Sequence, residues 1–319
     1  MIEGKRIVVT GLTGQIGGAV AKALVPGNTV YGLARFTAAG SRAVWQAAGV
    51  ETVACDLSAG DYHGAPEDID YVLHFAAWTG VEIAPGGADA AFRHNAEATG
   101  LLMARYRHAR AFLYASTMGV YRPEPPTGGY CETDPLGPGP AAIDYTASKL
   151  AAEGVARAVC RIHGLPTVIA RVTCPYGDHG HGGLPKALIL ARLISGEPIA
   201  VAPDGEKLRS PLHLEDFFAF LEPLLATASV PATIVNCGGD AAVSIEGMAR
   251  FMAPLLGVEP RFAIRDPYPW PYGHLNPSKR IAITGPARIH WTAGLREIVE
   301  RHRDHADCGD RGSEYPVRG

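Results

Sequence analysis

Strong charge of either sign is missing from this chain of 319 residues: 29 Lys and Arg stand against 32 Asp and Glu, a net of −3. That balance gives no support for a nucleic-acid partner or a membrane surface. Patterned cysteine is missing as well. The six cysteines, at 55, 131, 160, 174, 237 and 308, form no Cys-x-x-Cys and no regular spacing. Reduced thiols are therefore expected, without a disulfide framework. No apolar run is long enough to span a bilayer, and "KRIVVTG" beside Met1 is too short for the core of a signal peptide. A cytoplasmic location is the expectation. Repeats and low-complexity tracts are lacking.

What is present is alternation. Short runs rich in Val, Ile, Leu and Ala predict strands at 5–10, 28–34, 50–55, 70–77, 111–117, 166–172 and 233–238. They lack polar alternation, as strands covered on both faces should. Helices are predicted between them at 14–25, 38–48, 89–108, 145–163 and 213–228. Strand–helix alternation of this kind predicts an α/β, doubly wound parallel sheet of Rossmann type. After residue 174 the pattern loosens into turns and proline-rich stretches. Residues 1–174, with 211–240 returning to the sheet, read as a dinucleotide-binding domain. The stretches 175–210 and 241–303 read as a smaller, C-terminal substrate lobe, and 304–319 as a loose polar tail.

The first strand runs into "VVTGLTGQIGGAV", which sets Gly11, Gly14 and Gly17 where a helix opens. Glycines there allow a tight turn and let a pyrophosphate approach backbone N–H groups. The positions Gly11, Thr13, Gly14, Gln15, Ile16 and Gly17 are the candidate phosphate cradle, although three glycines in a turn also serve purely structural ends. The second strand ends at Arg35, where a guanidinium would meet the 2′-phosphate of NADP and a carboxylate would favour NAD. NADP is the expectation and NAD the alternative; a solvated arginine fits the position too. Arg42 is a possible assistant. At the next strand end, Asp56, followed by Leu57, would accept from an adenine amino group or simply start a turn.

Tyr145 and Lys149 are four apart on a predicted helix and share a face. An ammonium beside a phenol favours phenolate, and an oxidised nicotinamide acts in the same sense, so the tyrosine could exchange a proton with a hydroxyl or carbonyl near neutral pH. With 12 tyrosines and 6 lysines, however, the spacing arises by chance in about one such chain in five. Its weight comes from order: a glycine loop, a strand ending in Ser116 and Thr117, then the tyrosine helix.

With that order in view, the chain resembles the extended short-chain dehydrogenase/reductase superfamily, and within it the NAD-dependent epimerase/dehydratase family, from about Ile7 to Trp291. The motifs that carry the resemblance are "TGLTGQIG", "HFAA" (His74 to Ala77), "NAEATGLLM", "YTASK", "RVTCPYG" and "LRSPLHLEDF". The resemblance implies Tyr145 as proton donor and acceptor, and Lys149 as the cation that lowers its pKa and binds the nicotinamide ribose. It implies Asn95 as a brace, Ala76 and Ala77 as cofactor contacts, and Thr117 as the catalytic hydroxyl with Ser116 in reserve. Arg209 occupies the place of a pyrophosphate-binding arginine, with Arg265 a second candidate; a structural salt bridge is the other reading of Arg209. A homodimer built from the helices at 89–108 and 145–163 is also implied.

Relatives that dehydrate nucleotide sugars carry an Asp-Glu pair after the hydroxyl, whereas this chain has Met118 and Gly119. That leaves an epimerase or ketoreductase acting on a nucleotide sugar or keto-sugar. An NADPH-dependent reductase of another carbonyl compound is the alternative, and Cys174 in place of a family asparagine speaks for it. A non-catalytic NADP-binding sensor ranks last. No metal is expected: "DHGHGG" (Asp178, His179, His181) reads as a loop at the cleft mouth. In "RDPYPWPYGHLNP", Tyr268, Trp270 and Tyr272 read as a pocket cover or as core of the lobe, and Asn276 stands where the family carries an acid.

Overall fold

The computed structural model describes residues 2–79, 87–139, 142–177, 182–268 and 272–307. Asp178, His179, His181, Trp270 and Cys308 lie outside them. Seven strands form one parallel sheet: β1 (Arg6–Thr10), β2 (Thr29–Ala34), β3 (Glu51–Ala54), β4 (Tyr71–His74), β5 (Ala111–Thr117), β6 (Thr167–Val172) and β11 (Thr233–Cys237). Their order is β11-β6-β5-β4-β1-β2-β3. The order reverses between β1 and β4, and such a switch point opens a crevice beyond the C-terminal strand ends. Every predicted strand is present, most trimmed by a residue or more, and the 70–77 strand stops at His74.

Period-two alternation sorts each strand between two cores. Ile7, Val9, Leu73, Leu113, Ala115, Val168 and Ala170 pack under α1 (Gln15–Leu24) and α7 (Leu214–Ala226). Val8, Val72, Phe112, Tyr114 and Ile169 face α4 (Ala98–Arg105) and α5 (Ile143–His163). Full burial of each such Leu, Ile or Phe side chain stabilises by roughly 1.5–3 kcal/mol. The α5 helix stops at Gly164, which takes the left-handed conformation and donates its N–H to Cys160 O. The predicted 89–108 helix appears as α3 (Gly87–Phe92), a π turn over Arg93–Glu97, and α4. The short α2 (Ser41–Ala47) covers the β2–β3 edge.

A third cluster lies apart from the sheet. Tyr176, Ile189, Leu193, Ile199, Met248, Met252 and Leu295 are among its members. It joins α6 (Ala191–Ser195), α8 (Ile245–Leu256) and α10 (Trp291–Asp307). Three small strand pairs frame it: β7 (Pro175–Tyr176) with β10 (Leu212–His213), β8 (Ile199–Val201) with β13 (Phe262–Ile264), and β9 (Leu208–Arg209) with β12 (Val243–Ser244). The tail expected from residue 304 is corrected at its start, because α10 continues through Asp307. No described helix is long and apolar enough to cross a membrane.

Candidate active site

The cradle is built by backbone contact. Gly11 has φ 72°, in the left-handed region that glycine tolerates, and a Cβ there would fall 2.7 Å from the Ala76 amide nitrogen. A Cβ on Gly17 would overlap the Gly11 carbonyl oxygen. Gly14 donates to Gly11 O at 2.9 Å and caps α1 without a side-chain hydrogen bond. The opening N–H groups of this ten-residue helix thus face outward without a side-chain cap. Those features fit a dinucleotide pyrophosphate. The Gln15 side chain has other work, since its Nε2 donates to Pro175 O at 3.1 Å and ties the loop to β7.

On the adenosine side, Arg35 is exposed just past β2. It lies within electrostatic reach of Asp56 and, with His94 and the Ser58 hydrogen bonds, helps lower that carboxyl's pKa against the opposing effect of burial. Asp56 also starts the Leu57–Ala59 turn by accepting from Ser58 N at 2.9 Å. Arg42 is drawn away, donating to Thr52 Oγ1 and Thr52 O at 2.9 Å each.

Beneath the crevice a closed hydrogen-bond chain joins β1, β4 and α4. Ala76 N donates to Thr10 Oγ1 at 3.1 Å, and Thr10 Oγ1 lies 2.7 Å from His74 Nδ1. Thr99 Oγ1 donates to Asn95 O at 2.6 Å and lies 3.0 Å from His74 Nε2. Thr99 spends its one proton on Asn95 O, so it accepts from His74 Nε2–H. Burial, then Lys149, push the imidazole's pKa down to about 3, so the ring is neutral and Nδ1 accepts from Thr10. Asn95 completes the brace: its Oδ1 accepts from Trp78 N at 2.7 Å, and its Nδ2 donates to Trp78 O at 2.9 Å and Ser148 Oγ at 2.8 Å.

At the end of β5 the two candidate hydroxyls part ways. Ser116 is buried and donates to Glu153 Oε1 at 2.5 Å. Thr117 Oγ1 accepts from Gly119 N at 3.2 Å and acts on Tyr145 in the sense that lowers the phenol's pKa. Ser116 is thus committed to α5, and Thr117 is the hydroxyl left for the phenol. Lys149, one turn along α5, is buried and donates from Nζ to Ala115 O at 2.6 Å, with Nζ 4.2 Å from the Tyr114 ring centroid. Burial pushes the Tyr145 phenol above its ordinary pKa, and Thr117 only partly offsets it. Burial also lowers Lys149 to about 7, against the raising effect of Glu153. Lys149 is thus only partly charged near neutral pH.

On the substrate side, Arg209 is buried, bonded to the carbonyls of Tyr272 and Leu208 and to the Tyr268 side chain. Its charge acts on Cys174, where burial raises the thiol's pKa and Arg209 and Thr173 oppose the rise. Cys174 holds a left-handed φ of 42°, strained for a residue with a side chain. Arg265 is exposed beyond β13 and is not brought into this group. Met118 packs with Tyr121, Tyr130, Tyr272 and Leu275. Next to it, Gly119 has no room for a side chain, since a Cβ would fall 2.7 Å from the Thr146 methyl. The long loop after β5 is pinned to the 272–276 segment: Tyr130 N donates to His274 O at 2.9 Å, Asn276 N to Tyr130 O at 2.9 Å, and Gly139 N to Tyr272 Oη at 3.0 Å.

The structure adds residues that the sequence reading passed over: Thr10, Ser148, Glu153 and Arg171. Two signals for them were available. Glu153 lies four after Lys149 on the same helix face, and Arg171 is the one charge in an otherwise apolar strand, "TVIARV".

Comparison with known proteins places this arrangement. The model of the NAD dependent epimerase/dehydratase family matches residues 7–238. A dTDP-glucose 4,6-dehydratase of Neisseria gonorrhoeae is 30% identical over 263 residues, 74% of each chain. A trifunctional UDP-glucose 4,6-dehydratase, 3,5-epimerase and UDP-4-keto-L-rhamnose-reductase of Arabidopsis thaliana is 27% identical over 76% of this chain and 37% of its own length. This chain spans about a third to a half of the first curated relatives it matches. Among solved structures, a dTDP-glucose 4,6-dehydratase of Streptomyces venezuelae with NAD bound superposes with TM-score 0.80 at 24% identity, covering 98% of this chain and all of the other.

Proposed function

Because this chain belongs to the NAD dependent epimerase/dehydratase family, we propose that it oxidises and reduces a secondary alcohol carbon of a nucleotide sugar with a nicotinamide dinucleotide, without eliminating water. The observation that carries this reading is Tyr145 one helical turn from Lys149, which is buried and held on the Ala115 carbonyl of β5, at the C-terminal strand ends where the glycine cradle also lies.

A dinucleotide held by the Gly11–Gly17 cradle would supply the hydride acceptor and donor. Tyr145 takes the proton from the substrate hydroxyl and returns it to the carbonyl oxygen, with Thr117 holding that oxygen in line. Lys149, on the Ala115 carbonyl, stabilises the phenolate when charged. Asn95 fixes the first turn of α5 through Ser148, whose Oγ also donates to Tyr145 O at 2.8 Å. Arg209 supports a substrate anion. Met118 and Gly119 offer no group that moves a proton, which favours epimerase or ketoreductase chemistry over dehydration.

NAD is the cofactor we favour. The arginine that suggested NADP has Asp56 within electrostatic reach, which weakens its field for a 2′-phosphate. The solved dehydratase of similar fold carries NAD. Cys174 beside Arg209 favours a second reading, an NADPH-dependent reductase of a non-sugar carbonyl compound, because a half-buried thiol with a raised pKa is a weak partner for a diphosphate.

Tyr145→Phe tests the mechanism. NAD binding, measured by calorimetry, is expected to stay within about threefold, while turnover on a panel of UDP- and dTDP-hexoses and simple ketones falls by about 10²–10⁴. Undiminished turnover in the variant would refute the role of the phenol. Conversion that needs NADPH and accepts only non-sugar ketones would favour the second reading.

A further inference from the structure

The mechanism above leaves out one buried carboxylate at the heart of the site. Glu153 is 1% exposed and follows Lys149 by one turn. Its Oε1 accepts from Ser116 Oγ at 2.5 Å and Arg171 Nε at 3.0 Å, and its Oε2 from Arg171 Nη2 at 2.8 Å. Arg171, itself 1% exposed, is further held by donating to Tyr121 Oη at 2.8 Å and Glu132 O at 3.2 Å. Tyr121 in turn donates to Asn236 Oδ1 at 2.6 Å. The carboxylate is thus fixed by elements from β5, β6 and the loop before α5.

The titratable and charged groups around Lys149 come from each element packed against it. On α5 they are Tyr145 and Glu153, on β5 Tyr114, on β4 the neutral His74, and on β6 Arg171 beyond Glu153. Counting formal charges gives two cations, Lys149 and Arg171, against one anion. A buried ion pair is a weak source of stability compared with apolar residues of the same volume. A charge held in this place is better explained by what it does to its neighbour.

We propose that Glu153 is a positioning residue: gripped by Arg171 and Ser116, it favours the charged form of Lys149 against its burial, and with Lys149 charged the cluster carries one positive charge in excess, the charge that an ionised Tyr145 neutralises. The inference rests on Tyr145 and Lys149 being the proton-handling pair, but its test needs no substrate.

Only six lysines occur in the chain. Protein carrying ¹³C at lysine Cε therefore gives a spectrum in which Lys149 is assigned by its loss in Lys149→Met. The wild-type Lys149 signal is expected to titrate near pH 7. In Glu153→Gln the midpoint should fall by about one unit or more, as expected for losing a nearby anion whose charge raises the Lys149 pKa. That variant strands the Arg171 charge and risks unfolding, so Glu153→Gln combined with Arg171→Gln provides a second reading, with a smaller fall in the same direction. A folded Glu153 variant that titrates like the wild type, or one whose midpoint rises, would overturn the proposal. Such a result would leave the Tyr145→Phe assay to decide the function separately.

Discussion

His74 illustrates how much one side chain holds together at the floor of the crevice. Its two ring nitrogens join Thr10 on β1 to Thr99 on α4, and its full burial favours the neutral ring. Folded His74 titrates near 3, against about 6.5 in the unfolded chain. The folded state therefore binds fewer protons between those values, and stability falls as pH drops through that window. The full contribution is present above about pH 6.5, and about 4 kcal/mol is at stake by pH 3. Urea midpoints measured from pH 7 to pH 4 should decline more steeply in the wild type than in His74→Gln; equal slopes would show that the ring does not control the acid limb. At the same scale, the choice between Ser116 and Thr117 could not be made from a dipeptide. Adjacent strand residues point to opposite sides, and it is Glu153, from another element, that claims Ser116.

Among the elements, α1 and the loop before it carry the most exacting fit. Gly17 lies against the Gly11 carbonyl, so Gly17→Ala must push the helix away from β1. Such backbone overpacking typically costs about 1–3 kcal/mol. Both the melting temperature and NAD affinity are expected to drop, whereas a variant that keeps wild-type affinity would mean the cradle is not where the pyrophosphate lies. These elements were legible because their signals are local: apolar runs for β1, β5 and β6, glycines at the turn, and Gly164 with Pro166 closing α5. The π turn at Arg93–Glu97 was not legible, since nothing in "RHNAE" departs from helical composition. Asn95 lies within that turn and bonds Trp78 and Ser148, contacts that depend on partners distant in sequence.

For the molecule as a whole, the outer faces of α3, α4 and α5 carry exposed apolar side chains. Phe92 is 41% exposed, Leu101 37% and Ile162 73%, apolar surface that a second copy would cover. We propose a homodimer through these helices. Sedimentation should give a species of twice the chain mass, and Leu101→Glu should shift it toward the monomer; a wild type that sediments as a monomer at micromolar concentration would end that reading.

Local signals in the chain were enough for the strand sequence, the glycine cradle, the family, and Tyr145 with Lys149 on one helix face, because each depends on residues near one another along the backbone. Other properties arose when distant segments met: the commitment of Ser116 to Glu153, the upward push on Tyr145, the neutral His74, the electrostatic effect of Arg35 on Asp56, and the buried Glu153–Arg171 couple. The physical reason is that burial and electrostatic fields come from neighbours in space. No spacing along the chain encodes how far a side chain will lie from water or which charge will sit beside it.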